Sequence, residues 1–151
     1  MKKLKIILGT DHAGFELKEH VKNFLQENGF EVEDAGAHQF DKNDDYPDFI
    51  IPAAKKIAKE KNAKGIVFGA SGQGESMAAN KVKGIRAALY YGSNPEILKL
   101  SRTHNDANIL SLGARFLSKN EAVEAVKLWL NTNFSNKERH KRRIKKIDNF
   151  K

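Results

Sequence analysis

Short apolar runs alternate with stretches in which apolar positions recur every three or four residues, and this rhythm holds from Leu4 to the tail. Leu4 to Gly9 is an apolar run broken only by Lys5, which predicts a buried strand. Phe15, Leu17, Val21, Phe24 and Leu25 then share a helical face that Gly29 stops. Phe30 to Ala35 reads as a second strand. The segment from Gly36 to Pro47 is polar, rich in aspartate and long enough to wall a site. Asp48 to Lys61 has a helical pattern, with Pro52 expected to delay or kink its first turn. Gly65 to Gly69 is a third strand, followed by a glycine turn and a short helix, and Ile85 to Tyr91 is a fourth. Asn94 suits a helix cap and Pro95 a first helical position, so a helix should run through Leu98 and Ser101 toward His104. Asn108 to Gly113 is the fifth strand. A helix from Asn120 to Asn131 presents Ala122, Val123, Val126, Trp129 and Leu130, and a last helix in the tail is expected to turn Ile144 and Ile147 inward. Strand–helix alternation with short connections predicts an α/β three-layer fold around a five-stranded parallel sheet, residues 1–151 forming one domain.

Composition narrows the class. Hydrophobic residues make up 40% of the 151 and charged residues 30%, enough for a real core. No apolar run approaches the ~20 residues that span a bilayer. Met1-Lys2-Lys3 is charged like a leader, but the apolar stretch behind it is too short, and a cytoplasmic protein is expected. With no cysteine, disulfides, thiolate metal sites and a cysteine nucleophile are excluded. The net charge of +8 is concentrated: residues 136–151 hold eight basic residues against two acidic ones, a net of +6. Such a basic C-terminal helical segment can be a solvated face, bind nucleic acid, or bring arginines to a small phosphate ligand.

Chemistry is carried first by Gly69-Ala70-Ser71-Gly72-Gln73-Gly74-Glu75, a turn between a strand and a helix. Its glycines admit a ligand close to the backbone, and the N–H groups of the helix start face that ligand. Met77 stands where a dinucleotide fingerprint needs its third glycine, and no Gly-Lys-Ser/Thr triplet occurs. Glu75 would repel a phosphate held against it, yet could take a proton from a neighbouring carbon. The same residues could also simply make a tight turn, with Glu75 favouring the helix dipole. In parallel sheets ligands collect at the carboxyl ends of strands. That rule gathers Asp11 and His12 after strand one, Ser71 and Glu75 after strand three, and Arg115 after strand five. His104-Asn105-Asp106 precedes strand five, on the wrong side for the rule, and would need a neighbouring subunit or an inward helix end to join them.

The residues resemble the type B ribose-5-phosphate isomerases and the related subunits of galactose-6-phosphate isomerase. The likeness rests on Gly9-Thr10-Asp11-His12-Ala13-Gly14-Phe15, Asp45-Tyr46-Pro47, Gly69 to Lys81 and Gly84-Ile85-Arg86-Ala87. It continues through Ser101 to Asn108, Gly113-Ala114-Arg115 and Arg139-His140-Lys141-Arg142-Arg143. It implies a Rossmann-like fold and a metal-independent aldose–ketose isomerase that works through an enediolate, without a cofactor, in the pentose phosphate pathway. Many members use a cysteine at the start of the glycine turn as base. Gly69 stands there in this chain, which resembles the branch whose base is a glutamate, here Glu75, with Ser71 beside it. The resemblance makes His104 the acid/base of ring opening, helped by Asp11, and gives sugar hydroxyls to Asn105. His12, Arg115, Arg139 and Arg143 would hold the phosphate, and the N–H groups of Ser71, Gly72, Gln73 and Gly74 would face the enediolate oxygen. It further implies a homodimer or homotetramer with the site between subunits. Ribose 5-phosphate is the expected substrate, with allose or galactose 6-phosphate as a six-carbon alternative. A Rossmann-like module using its basic tail on nucleic acid is the alternative of another class, and an unlikely partner on this likeness.

Overall fold

Each stretch expected to be a strand becomes one, and each periodic stretch becomes a helix. The computed structural model describes residues 3–150; Met1 and Lys2, read above for a leader, and Lys151 of the basic tail lie outside the described residues. The strands are β1 (Lys5–Thr10), β2 (Glu31–Asp34), β3 (Ala63–Gly69), β4 (Ala87–Tyr90) and β5 (Ile109–Gly113). The helices are α1 (Phe15–Glu27), α2 (Pro47–Lys59), α3 (Gln73–Asn80), α4 (Glu96–Thr103), α5 (Lys119–Leu130) and α6 (Glu138–Asp148). The sheet has the order β2-β1-β3-β5-β4 and every neighbouring pair is parallel.

Alternation along the strands makes two cores. Ile6 and Leu8, Ile66 and Phe68, and Leu110 and Leu112 face α1, α4 and α5, meeting Leu17, Val21, Leu98, Val126 and Trp129. Ile7, Val67 and Ile109 face the other way, against Ile50, Ala53, Ala54 and Ile57 of α2 and Ala79 of α3. Each fully buried Leu or Ile contributes roughly 1.5–3 kcal/mol to holding the layers together. Helix α5 starts at a reciprocal cap: Ser118 Oγ accepts from Glu121 N–H, and the Glu121 carboxylate accepts from Ser118 N–H. No helix among the described residues is long and apolar enough to cross a membrane.

Three expectations need correction. Pro52 does not delay α2, because Pro47 already opens the helix with its fixed φ and Pro52 forgoes only one ladder bond further in. β4 is shorter than its apolar run. Ile85 N–H turns back to the Val82 carbonyl and Arg86 N–H goes to the Asn108 side chain, so neither donates to a neighbouring strand. Ile147 is 56% exposed, against the inward placement expected of it. The only buried residue of α6 is His140, so this helix is seated through a histidine and its apolar residues do not anchor it.

The glycine turn is fastened from β5: Ser111 Oγ donates to the Gly72 carbonyl at 2.7 Å, and Arg115 N–H donates to the Ala70 carbonyl at 3.0 Å. Replacing Ser111 by alanine should therefore cost about 1 kcal/mol in urea unfolding, with a loss of turnover larger than that stability change explains.

Candidate active site

Thr10, Gly69 and Gly113 close the three central strands at one edge of the sheet, and the segments that follow them build the first cluster. At the exit of β1, Asp11 is buried and its Oδ1 accepts from Ala13 N–H at 3.0 Å and Gly14 N–H at 3.3 Å. It therefore fastens the turn that leads into α1, while its charge faces Glu75. His12 stands beside it. Its Nδ1 lies 2.7 Å from Asp44 Oδ1, which also accepts the His12 N–H at 3.1 Å. That hydrogen bond raises the His12 pKa; burial and the Arg115 charge oppose it, while Asp11 adds to it. A shift in that direction favours the cationic imidazole, which suits a phosphate.

At the exit of β3, Gly72 has φ +80, a left-handed turn that glycine takes without strain. The turn feeds α3, and Glu75 in its first turn folds back over Gly69. A Cβ on Gly69 would fall on the Glu75 carboxyl carbon and both its oxygens, so the carboxylate occupies the space a side chain at position 69 would fill. Glu75 is only 4% exposed. Burial pushes its pKa up, the N–H groups of Glu75 itself and of Gly72 pull it partly back, and the Asp11 charge raises it further. A glutamate so placed is a better base near neutral pH than an exposed one.

Two of the turn N–H groups expected to face an oxyanion already have partners: Gly72 serves Glu75, and Gln73 N–H donates weakly to Ser71 Oγ at 3.3 Å. Tyr46 covers the turn, its ring standing where a Cβ on Gly74 would go. Arg115, in the single 3₁₀ turn after β5, is exposed and close enough to His12 for their charges to interact.

The second cluster lies at the opposite edge. His104 ends α4, and residues 104–108 lead into the start of β5, where the Asn108 carbonyl accepts from Gly65 near the start of β3. His104 and Asn105 are exposed there. Helix α6 brings Arg139 and Arg143 to the same edge; both are exposed. Arg86 Nη1 makes two bonds to the Asp148 carboxylate, at 3.0 and 3.1 Å, and ties the end of α6 to the start of β4. Between these groups lies His140, 3% exposed, with its ring centroid 4.3 Å from that of His104 and the planes 32° apart. The four residues of β5 beyond Ile109 rise roughly 13 Å at ~3.3 Å each, so His104 and Glu75 of one chain cannot meet on one small substrate.

Sequence reasoning put Asp11, His12, Ser71, Glu75 and Arg115 after the carboxyl ends of β1, β3 and β5, and His104 before β5, and those are the positions they occupy in the structure. It missed Asp44, visible only as one acid in an aspartate-rich loop, and it gave His140 no role although the residue stood inside a quoted motif. Asp11, His12 and Asp44 are the one group among the described residues whose ligand atoms all lie within 4.8 Å of one another, as a metal would need. Asp11 Oδ1, Asp44 Oδ1 and His12 Nδ1 are already engaged in the bonds given above.

A family model described as Ribose/Galactose Isomerase matches residues 6–147. The chain belongs to that family. It is 42% identical over 141 residues to ribose-5-phosphate isomerase B of Mycolicibacterium paratuberculosis, covering 93% of this chain and 87% of the relative. Among solved structures, ribose-5-phosphate isomerase B from Mycoplasma genitalium, with bound ribulose 5-phosphate, superposes with a TM-score of 0.92 at 40% identity, covering 98% of this chain and 96% of that one. The Thermotoga maritima ribose 5-phosphate isomerase superposes with a TM-score of 0.90 at 42% identity, covering 99% and 100%. These family relatives share the five-stranded three-layer fold described above.

Two outcomes follow from the geometry. Gly69→Ala should fold yet displace the Glu75 carboxylate, lowering turnover by about 100-fold, the scale of an ångström-level misplacement; a crystal structure of the variant would show the moved carboxylate. Asp44→Asn should lower the His12 pKa, read by NMR titration. Because the raised pKa stabilises the fold fully only below the unfolded value and loses effect as pH rises through the folded one, this variant should be penalised more at pH ~6 than at pH ~9.

Proposed function

We propose that the chain is a metal-independent aldose–ketose isomerase that interconverts D-ribose 5-phosphate and D-ribulose 5-phosphate as one cytoplasmic isomerase domain. The observation that carries this reading is the buried Glu75 carboxylate seated over Gly69 with its pKa raised. Family membership and the named activity of the relatives support the substrate.

Two copies would complete each site. One supplies Asp11, His12, Ser71, Glu75 and Arg115; the other supplies His104, Asn105, Arg139 and Arg143. Apolar side chains exposed near the first cluster, Met77, Tyr91 and Phe116, support a second copy seating there. The phosphate is held by His12 and the three arginines, the latter through forked hydrogen bonds.

Opening comes first. His104 gives a proton to the ring oxygen as its bond to C1 breaks, and the O1 hydroxyl proton passes to Asp11 as the C1 carbonyl forms, so the proton inventory is unchanged. Glu75 then takes the proton from C2 and the electron pair becomes the C1–C2 double bond of the enediolate. Ser71 Oγ passes the O2 proton to O1, and Glu75 returns its proton to C1, giving the ketose. A well-placed N–H on the developing oxyanion is worth ~3 kcal/mol, and the turn N–H groups not held by Glu75 or Ser71 are the donors at hand.

The test is ribulose 5-phosphate formation from ribose 5-phosphate in chelator, wild type against Glu75→Gln. Wild-type turnover is expected with chelator present, and the variant should lose it by at least ~100-fold while remaining folded. Relative to the variant, the wild type should lose stability as pH rises from ~4 through the raised Glu75 pKa, because ionising a buried carboxyl is what burial opposes. Turnover of allose or galactose 6-phosphate alone would reassign the substrate. Salt-sensitive RNA or DNA binding that survives Glu75→Gln, without turnover, would reject the isomerase.

A further inference from the structure

We infer that His140 is a positioning residue for His104: it is the fixed aromatic plate on which the ring-opening imidazole rests and which sets its distance from the phosphate-binding arginines. The inference rests on the reading of His104 as the ring opener and assigns a role to a side chain that this reading leaves unused.

The two rings are nearly stacked, with centroids 4.3 Å apart and planes at 32°. His104 is exposed and His140 is not, so one face of His104 is supported while the other is free for a ligand. His140 is itself held on two sides. Its Nδ1 lies 2.6 Å from Ser135 Oγ, and the Phe134 ring stands 6.5 Å from its centroid. Ser135 in turn donates its N–H to the Thr103 carbonyl at 3.2 Å, one residue before His104. A closed chain therefore runs from the end of α4 through Ser135 and His140 back to the His104 ring.

Because His140 lies directly between Arg139 and the turn that ends in Arg143, this chain also sets where the arginines stand relative to His104. A histidine is suited to the position for an electrostatic reason. Burial first, then the charges of His104, Arg139, Lys137 and Arg143, push the His140 pKa down, in favour of the neutral ring. A neutral imidazole face can sit under a protonated His104 without repelling it, which lysine or arginine there could not.

Ring opening and carbon proton transfer can be measured apart, because a pentulose with its C5 oxygen esterified has no furanose form. Exchange of a C1 hydrogen of ribulose 5-phosphate in D2O reports Glu75 without any ring to open. His140→Leu, which preserves bulk in the buried position, should lower kcat on ribose 5-phosphate by about tenfold or more. C1 exchange should stay within about threefold of wild type, and His140→Phe should restore most of the lost turnover because it restores the plate. Unchanged turnover in His140→Leu, an equal loss of exchange, or a phenylalanine variant no better than the leucine one would overturn the inference. His104→Ala and Glu75→Gln separate the two levels. If His104→Ala keeps turnover on ribose 5-phosphate, or Glu75→Gln keeps exchange, the underlying reading fails; if both behave as expected and His140→Leu is unaffected, only the role of His140 fails.

Discussion

Five strands running the same way give the sheet two opposite ends, and the candidate site residues of this chain are divided between them. The carboxyl edge carries a buried carboxylate, an aspartate that fastens the turn before α1 and a histidine pinned to Asp44. The amino edge carries the stacked histidines and the arginines of α6. The division is fixed by the register of the central strands, with Gly65 opposite Ile109 at one end and Gly69 opposite Gly113 at the other. On the proposed reading it makes association a chemical requirement, since neither edge alone holds both an opener and a base.

Within the carboxyl edge the controlling fact is volume. The space above Gly69 is filled by the carboxylate that α3 delivers from six residues later, so a side chain on residue 69 and Glu75 in this position exclude each other. Burial that raises the Glu75 pKa would destabilise an ionised carboxylate, and the N–H groups of Gly72 and Glu75 offset part of that cost. Ser111 from β5 and Arg115 from the turn after it hold the glycine turn that keeps this arrangement in place. The amino edge depends on contact in place of burial: α6 has a single buried side chain, and that side chain touches His104.

The central strands were legible because parallel strands buried on both faces write themselves as apolar runs, and each of the five expected strands formed. The carboxyl-edge cluster was legible because strand ends and glycine turns are local features. What escaped has a common physical origin. Asp44 acts only through His12, thirty-two positions earlier in the chain, and nothing in the spacing singles it out from Asp41, Asp45 or Asp48. His140 sits in a basic run whose charge hides its burial. Ile147 carries an apolar side chain on a helix seated through a histidine and an arginine–aspartate bond, so periodicity gave it the wrong face. Side-chain partners decided these positions, and the hydrophobic pattern does not encode partners.

The central claim is that the base and the ring opener of one site come from different copies. Glu75→Gln and His104→Ala subunits, each inactive alone, should recover activity when unfolded and refolded together. Random pairing gives half mixed dimers, each with one intact and one doubly altered site, so about a quarter of wild-type turnover is expected. Preparations shown by native mass spectrometry to contain mixed dimers, yet no more active than either parent, would contradict the account.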